Sequence, residues 1–101
     1  MSIEQTRIYP INTGWIKVDH GTYLFWKGNA GNDTAIPVIC YLVDTRDHKI
    51  MVDTGLPDEA RATKWHHDCN KRGCLDSPDA VRHLGFDPAA IDICLFTHLH
   101  W

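Results

Sequence analysis

The chain has 101 residues, 44% of them hydrophobic and 23% charged, the balance of a soluble globular protein rather than a disordered or fibrous one. One domain is the most this length holds, and a chain of this size buries only about 60–65% of its unfolded surface, so its core is thin. Ten Lys and Arg against 13 Asp and Glu leave a formal charge of -3, which offers no basic face for nucleic acid.

Residues 1–13 include Glu4 and Arg7 and lack an apolar h-region, so no signal peptide is expected. The longest uncharged apolar run, residues 34–43 between Asp33 and Asp44, is far short of the roughly 20 residues a membrane helix needs. Four cysteines without an export signal point to reduced thiols in a cytoplasm. Cys40 and Cys94 lie in apolar runs, where Cys acts as a small hydrophobe.

In chain order, residues 8–11 and 15–18 read as two short strands around a turn cluster, Asn12-Thr13-Gly14. Residues 23–26 are a short apolar segment, and residues 27–33 a flexible loop. Residues 36–43 are apolar on both faces and predict a fully buried strand, with Pro37 tolerable only near its start. Residues 45–48 turn the chain, residues 49–53 return as the second strand of a hairpin, and Thr54-Gly55-Leu56-Pro57 breaks it. A helical turn or two over 58–64 and a loop over 65–75 follow.

The clearest helix runs from 77 to 85. Ser77 is its expected N-cap, Pro78 its first helical residue, and Asp79 faces the positive end. Gly85 suits a left-handed terminal residue, with Phe86 folding back on Val81 as in a Schellman cap. Asp87-Pro88 restarts the chain, and residues 91–97 predict another buried strand. Strands, a helix and a further buried strand, with no repeat or linker, predict an α+β sheet covered by helices. The chain ends directly after that apolar strand, on His98, His100 and Trp101, without the polar tail usual at natural ends. We therefore expect residues 1–101 to be the N-terminal part of a single truncated domain.

Chemistry concentrates in Thr97-His98-Leu99-His100-Trp101. Residues two apart on an extended chain point the same way, so His98 and His100 can present two imidazoles, good ligands for zinc, iron and related metals. The spacing alone decides little, because seven His in 101 residues give about 0.5 such pairs by chance. Catalytic zinc also needs a third protein ligand. The setting sharpens the pair: Asp53 closes the earlier strand, where its carboxylate can accept a ligand imidazole's second N–H. An Asx-turn at Asp53 is compatible with the same residues.

A second candidate, His66, His67, Cys69 and Cys74, does not match paired zinc spacing and reads as a polar loop. Asp19-His20 and His48 read as turn residues, and His83 as solvent-facing. Trp15, Tyr23, Phe25 and Trp26 are core or pocket-lip aromatics.

The segment Ile50-Met51-Val52-Asp53-Thr54-Gly55, a helix, then Phe96-Thr97-His98-Leu99-His100-Trp101 resembles the N-terminal part of the metallo-β-lactamase superfamily. Only the first four positions of that family's His-x-His-x-Asp-His signature are present. Residues 36–43 with the Val-Asp-Thr-Gly-Leu-Pro segment are most similar to the N-acyl-homoserine-lactone lactonase branch, and Phe25-Trp26-Lys27-Gly28 is similar to the pyridoxolactone-opening relatives.

The resemblance implies an αββα sandwich, of which this chain would be a mostly antiparallel sheet with a covering helix. It implies two zinc ions or other divalent metals in the intact protein. His98 and His100 would ligate the first, and Asp53 would support the site without being a ligand. The implied reaction is opening of a small lactone by a metal-bound hydroxide, in a cytoplasmic protein with no membrane or nucleic-acid partner that admits a homodimer. The fragment alone would be inactive, since the later ligands are missing. Two alternatives stand beside this: another hydrolase of the same superfamily, acting on thioesters in the glyoxalase manner or on β-lactams, and a short non-catalytic protein that needs a partner to cover its sheet edge.

Overall fold

The computed structural model describes residues 5–24, 28, 30–65 and 68–99. The elements are β1 (Arg7–Asp19), α1 (His20–Tyr23), β2 (Asp33–Asp44), β3 (Lys49–Val52), α2 (Glu59–Trp65), β4 (Cys69–Asn70), α3 (Ser77–His83) and β5 (Ile93–Leu95), with a 3-10 turn at Pro88–Ala90. They form one five-stranded sheet in the order β4-β1-β2-β3-β5. Every pairing is antiparallel except β3 with β5. The fold is the α+β arrangement expected, a mostly antiparallel sheet with helices laid on it.

The expected pair of short strands around Asn12-Thr13-Gly14 is instead a single strand, β1. The register against β2 slips between Asn12 and Trp15, so two residues of β1 face one of β2. Gly14, at φ 145, takes the backbone conformation that this bulge requires. Its N–H donates to Asn12 Oδ1 at 3.0 Å. Thr13 is wholly buried at the bulge; its Oγ1 donates to Val38 O at 2.8 Å and accepts from Leu56 N at 2.7 Å. A turn cluster in sequence has become a β-bulge that holds down a loop 43 residues away.

Strand β2 departs from the expectation of burial on both faces. Cys40 and Leu42 are fully buried, whereas Ile39 and Tyr41 remain 39% and 40% exposed. Among the described residues, α2 and α3 pack on one face. Around α3 lie Ile11, Cys40, Leu42, Met51 and Val81, with Tyr9 and Phe86 in edge contact at 5.6 Å. Around α2 lie Ile16, Val18, Leu56 and Ala62. The opposite face carries the row Ile8, Val43, Ile50 and Ile93 and the row Pro10, Tyr41, Val52 and Leu95, set by the registers. Pro37 is the fifth residue of β2, deeper than expected, but β2 has only β1 beside it there, so its missing N–H breaks no ladder on the other side.

The β2–β3 hairpin is as read. Thr45 N donates to His48 O at 2.9 Å, and Thr45 Oγ1 accepts from His48 N at 2.8 Å. The expected loop over 65–75 contains β4, whose Asn70 and Cys69 pair with Trp15 and Ile16. Helix α3 is capped by Asp76, not Ser77: Asp76 has the extended backbone of a cap, and its C=O takes Ala80 N–H. Its carboxylate makes no cap bond because it pairs with Lys71 at 2.7 Å. The far end is the expected Schellman motif, with Phe86 N donating to Val81 O, Gly85 N to Arg82 O, and Gly85 at φ 94.

Strand β5 is shorter and more exposed than expected. It lies at the sheet edge, so Leu95 stays 52% exposed and Cys94, read as a buried hydrophobe, is also exposed. Asp92 fixes its start: Asp92 N donates to Lys49 O at 3.0 Å, while its carboxylate accepts from Lys49 N at 2.9 Å and His48 Nδ1 at 2.7 Å.

Two predictions follow from this packing. Thr13→Val leaves Leu56 N and Val38 O without their hydroxyl, and should cost about 1–3 kcal/mol in urea unfolding. Thr13→Ser, which keeps the hydroxyl, should cost less; equal losses would refute the clamp. The second concerns acid. The His48 ring and Lys49 N–H hold the Asp92 carboxyl below the usual carboxylate range. A carboxyl lowered on folding adds stability above its unfolded pKa and loses it as pH falls through its folded one. The melting temperature of Asp92→Ala should therefore trail wild type at neutral pH, and the gap should close as pH drops below the usual carboxylate range.

Candidate functional site

The parallel strands β3 and β5 end side by side, and the site is built where they stop. Asp53, directly after β3, continues the ladder by donating its N–H to Leu95 O at 2.7 Å. Its backbone then turns into the left-handed region, at φ 61. Asp is among the few residues with a side chain that tolerate this. Gly55, at φ 77, turns the loop again; a Cβ there would come within 2.5 Å of Thr13. Leu56 N on the Thr13 hydroxyl pins the far side of the same loop.

So held, the Asp53 carboxylate reaches across to the end of β5. Oδ1 accepts from Thr97 N at 2.9 Å, and Oδ2 accepts from Thr97 Oγ1 at 2.7 Å. Thr97 Oγ1 in turn lies 2.9 Å from Nδ1 of His98. The two Thr97 donors, with a smaller contribution from His98 nearby, hold the Asp53 carboxyl below its usual range. The carboxylate is thus ionised and acts as an acceptor only.

Of the residues expected to form the site, Asp53 and His98 are therefore brought together, linked through Thr97 rather than in direct contact. His100 lies outside the described residues. Thr97 itself was given no role by sequence reasoning. The available signal was a hydroxyl beside a candidate ligand at a strand end, and nothing in spacing showed that it would stand between carboxylate and imidazole. Among the described residues no group of three or more His, Cys, Asp or Glu side chains is gathered as for a metal ion. The donor chemistry at His98 nonetheless fits a metal ligand, an imidazole oriented by a carboxylate-backed partner.

The other candidates have structural duties. Cys69 Sγ donates to Glu59 O at 3.5 Å, and His66 and His67 lie outside the described residues. His48 pairs with Asp92, and His83 closes α3 in an exposed position. The His20 ring meets Gly28 O at 3.1 Å, and Asp19 accepts from Gly31 N. Cys40 is enclosed, and burial pushes its thiol up to about 11, which leaves it inert. Arg72 stacks 4.7 Å over the Trp15 ring. Among the described residues no helix is long and apolar enough to cross a membrane.

Known proteins share this fold and sequence pattern. N-acyl homoserine lactonase AttM of Rhizobium johnstonii (strain DSM 114642 / LMG 32736 / 3841) is 30% identical over 105 residues, 93% of this chain and 38% of its own. A quorum-quenching N-acyl homoserine lactone lactonase of known crystal structure matches with a TM-score of 0.71 at 26% identity, over 92% of this chain and 37% of that one. An N-acyl homoserine lactone hydrolase, solved with N-hexanoyl-L-homoserine at its catalytic metal centre, shares the fold with a TM-score of 0.75 at 24% identity, over 92% and 40%. The chain spans about two fifths of the length of these relatives. The sequence model of the Metallo-beta-lactamase superfamily matches residues 33–101, which carry β2 to β5 and the Asp53, Thr97 and His98 chain. This chain therefore belongs to the metallo-beta-lactamase superfamily.

Proposed function

We propose that the chain is the N-terminal part of a metal-dependent hydrolase that opens small lactones of the N-acyl-homoserine-lactone type. The observation that carries this reading is the Asp53–Thr97–His98 chain at the paired ends of β3 and β5. Its support from outside is the 30% identity to a lactonase and the 26% identity to a second one. The open apolar face, with Ile39, Tyr41 and Leu95 uncovered, supports the view that this sheet is one layer of a larger domain.

In this reading His98 and His100 hold the first of two zinc ions, with further ligands supplied from outside this chain. A divalent metal so held supplies ionised water as nucleophile and positive charge for the developing oxyanion. The contribution of the residues described is orientation. Asp53 holds Thr97 by backbone and side chain together, and Thr97 holds the His98 ring. The four free thiols suit a cytoplasmic setting.

Lactone opening by the protein that carries this chain, followed as acid release, tests the proposal. His98→Ala should abolish turnover, and Asp53→Ala should lower metal affinity by about 10–100-fold. Failure on acyl-homoserine and pyridoxo-type lactones, with turnover of a glutathione thioester, would transfer the assignment to thioester hydrolysis. The 101 residues alone should not retain stoichiometric zinc after mild chelation and should not open lactones; near-unit zinc by elemental analysis would contradict this.

A further inference from the structure

We propose that Thr97 is a positioning residue that sets the tautomer of His98, holding the ring proton on Nδ1 so that Nε2 carries the electron pair. A threonine hydroxyl has one hydrogen and two acceptor lone pairs, and an ionised carboxylate can only accept. Thr97 Oγ1 lies 2.7 Å from Asp53 Oδ2 and 2.9 Å from His98 Nδ1. If the hydroxyl gave its hydrogen to Nδ1, its lone pairs would face a carboxylate oxygen at 2.7 Å with nothing between them. The hydrogen therefore goes to Asp53, and the 2.9 Å contact is made by Nδ1–H donating to Oγ1.

The Asp53 end cannot rotate out of this assignment. Oδ1 is already engaged by Thr97 N–H at 2.9 Å, so the side chain is read in one orientation by two donors of the same residue. Thr97 thus works as a polarity relay between a carboxylate and an imidazole. That Nε2 is then a metal-binding nitrogen rests on the reading under Proposed function; the tautomer itself does not.

Asp53→Asn is isosteric and reverses this polarity. In Asp53→Asn the amide oxygen must stay on Thr97 N–H, which places the amide NH2 against Thr97 Oγ1 as a donor. The hydroxyl hydrogen is then released toward Nδ1, and the ring proton moves to Nε2. One atom changes type, none is lost, and the direction of the whole chain reverses.

The experiment is a long-range proton–nitrogen correlation spectrum of the 15N-labelled, metal-free protein that carries this chain, above the pH range in which imidazoles ionise. His98 should carry its proton on Nδ1, unlike exposed His83, which should favour the Nε2–H form usual in water. Thr97→Ser should preserve the His98 pattern, and Thr97→Val and Asp53→Asn should each shift it to Nε2–H. Wild-type His98 in the Nε2–H form, or a pattern unchanged in Asp53→Asn with native amide dispersion, would overturn the proposal. Zinc titrated into the same samples separates the two readings. Movement of the Nε2 signal in wild type, needing about 10–100-fold more zinc in Thr97→Val, supports both. An Nδ1–H ring whose Nε2 zinc leaves unmoved supports the tautomer assignment and overturns the ligand reading.

Discussion

Two parallel strands stay together only as far as their ladder runs, and beyond it some other contact must hold their ends in register. In this chain that contact is the Asp53 carboxylate. The ladder between β3 and β5 covers three residue pairs, after which Asp53 N takes Leu95 O and the carboxylate takes both polar donors of Thr97. To face Thr97, Asp53 adopts a left-handed backbone, a conformation costing of order 1–3 kcal/mol when a side chain is present, although Asp is among the residues that bear it best. Such a conformation persists only where its surroundings over-determine it. Here they do: Leu95 fixes the backbone before the turn, Thr97 fixes the side chain, and Thr13 fixes the loop three residues later through Leu56.

That dependence explains why a bulge on β1 matters to a site on β3 and β5. A regular β1 would present alternating side chains and no hydroxyl aimed at a neighbouring loop. The extra residue between Asn12 and Trp15 buries Thr13 beside the loop that follows Asp53. Gly55 completes the fit, since any Cβ there would strike the Thr13 side chain. The antiparallel part of the sheet is thus the scaffold, and among the described residues the one parallel pairing is where the candidate site lies. Crevices outside the carboxyl ends of parallel strands are where ligands bind in open sheets, because neighbouring chains diverge there.

How much of this was legible depended on how local the signal was. The β2–β3 hairpin, the Gly85 and Phe86 cap of α3 and the turn at Thr45 were readable because each is decided within a few residues. Asp53 and His98 were readable from residue type at strand ends. What was not readable was set by partners far away in sequence. The bulge looked like a turn because Asn12-Thr13-Gly14 carries turn residues, and only pairing with β2 shows that the chain runs straight on. Cys69 and Asn70 became a strand through contact with β1 alone. The cap moved from Ser77 to Asp76 although Lys71 had claimed the Asp76 carboxylate, since backbone geometry alone makes the cap there. Burial of residues 36–43 was overestimated because apolar character on both faces says that a strand can be covered twice, not that both covers lie within the chain in hand.

Thr97 shows the same limit at the scale of one side chain. A carboxylate and an imidazole at neighbouring strand ends invite the reading of a direct Asp–His bond, the usual way a ligand histidine is oriented. Inserting a hydroxyl changes what the carboxylate controls. A directly bonded carboxylate would fix the ring tautomer itself, whereas through Thr97 it does so by deciding where a single hydroxyl hydrogen points. For the neutral ring, the arrangement therefore favours the tautomer with its electron pair on Nε2. A neutral imidazole of defined tautomer is what a metal ligand requires, and that tautomer is the form the proposed Thr97 relay would select.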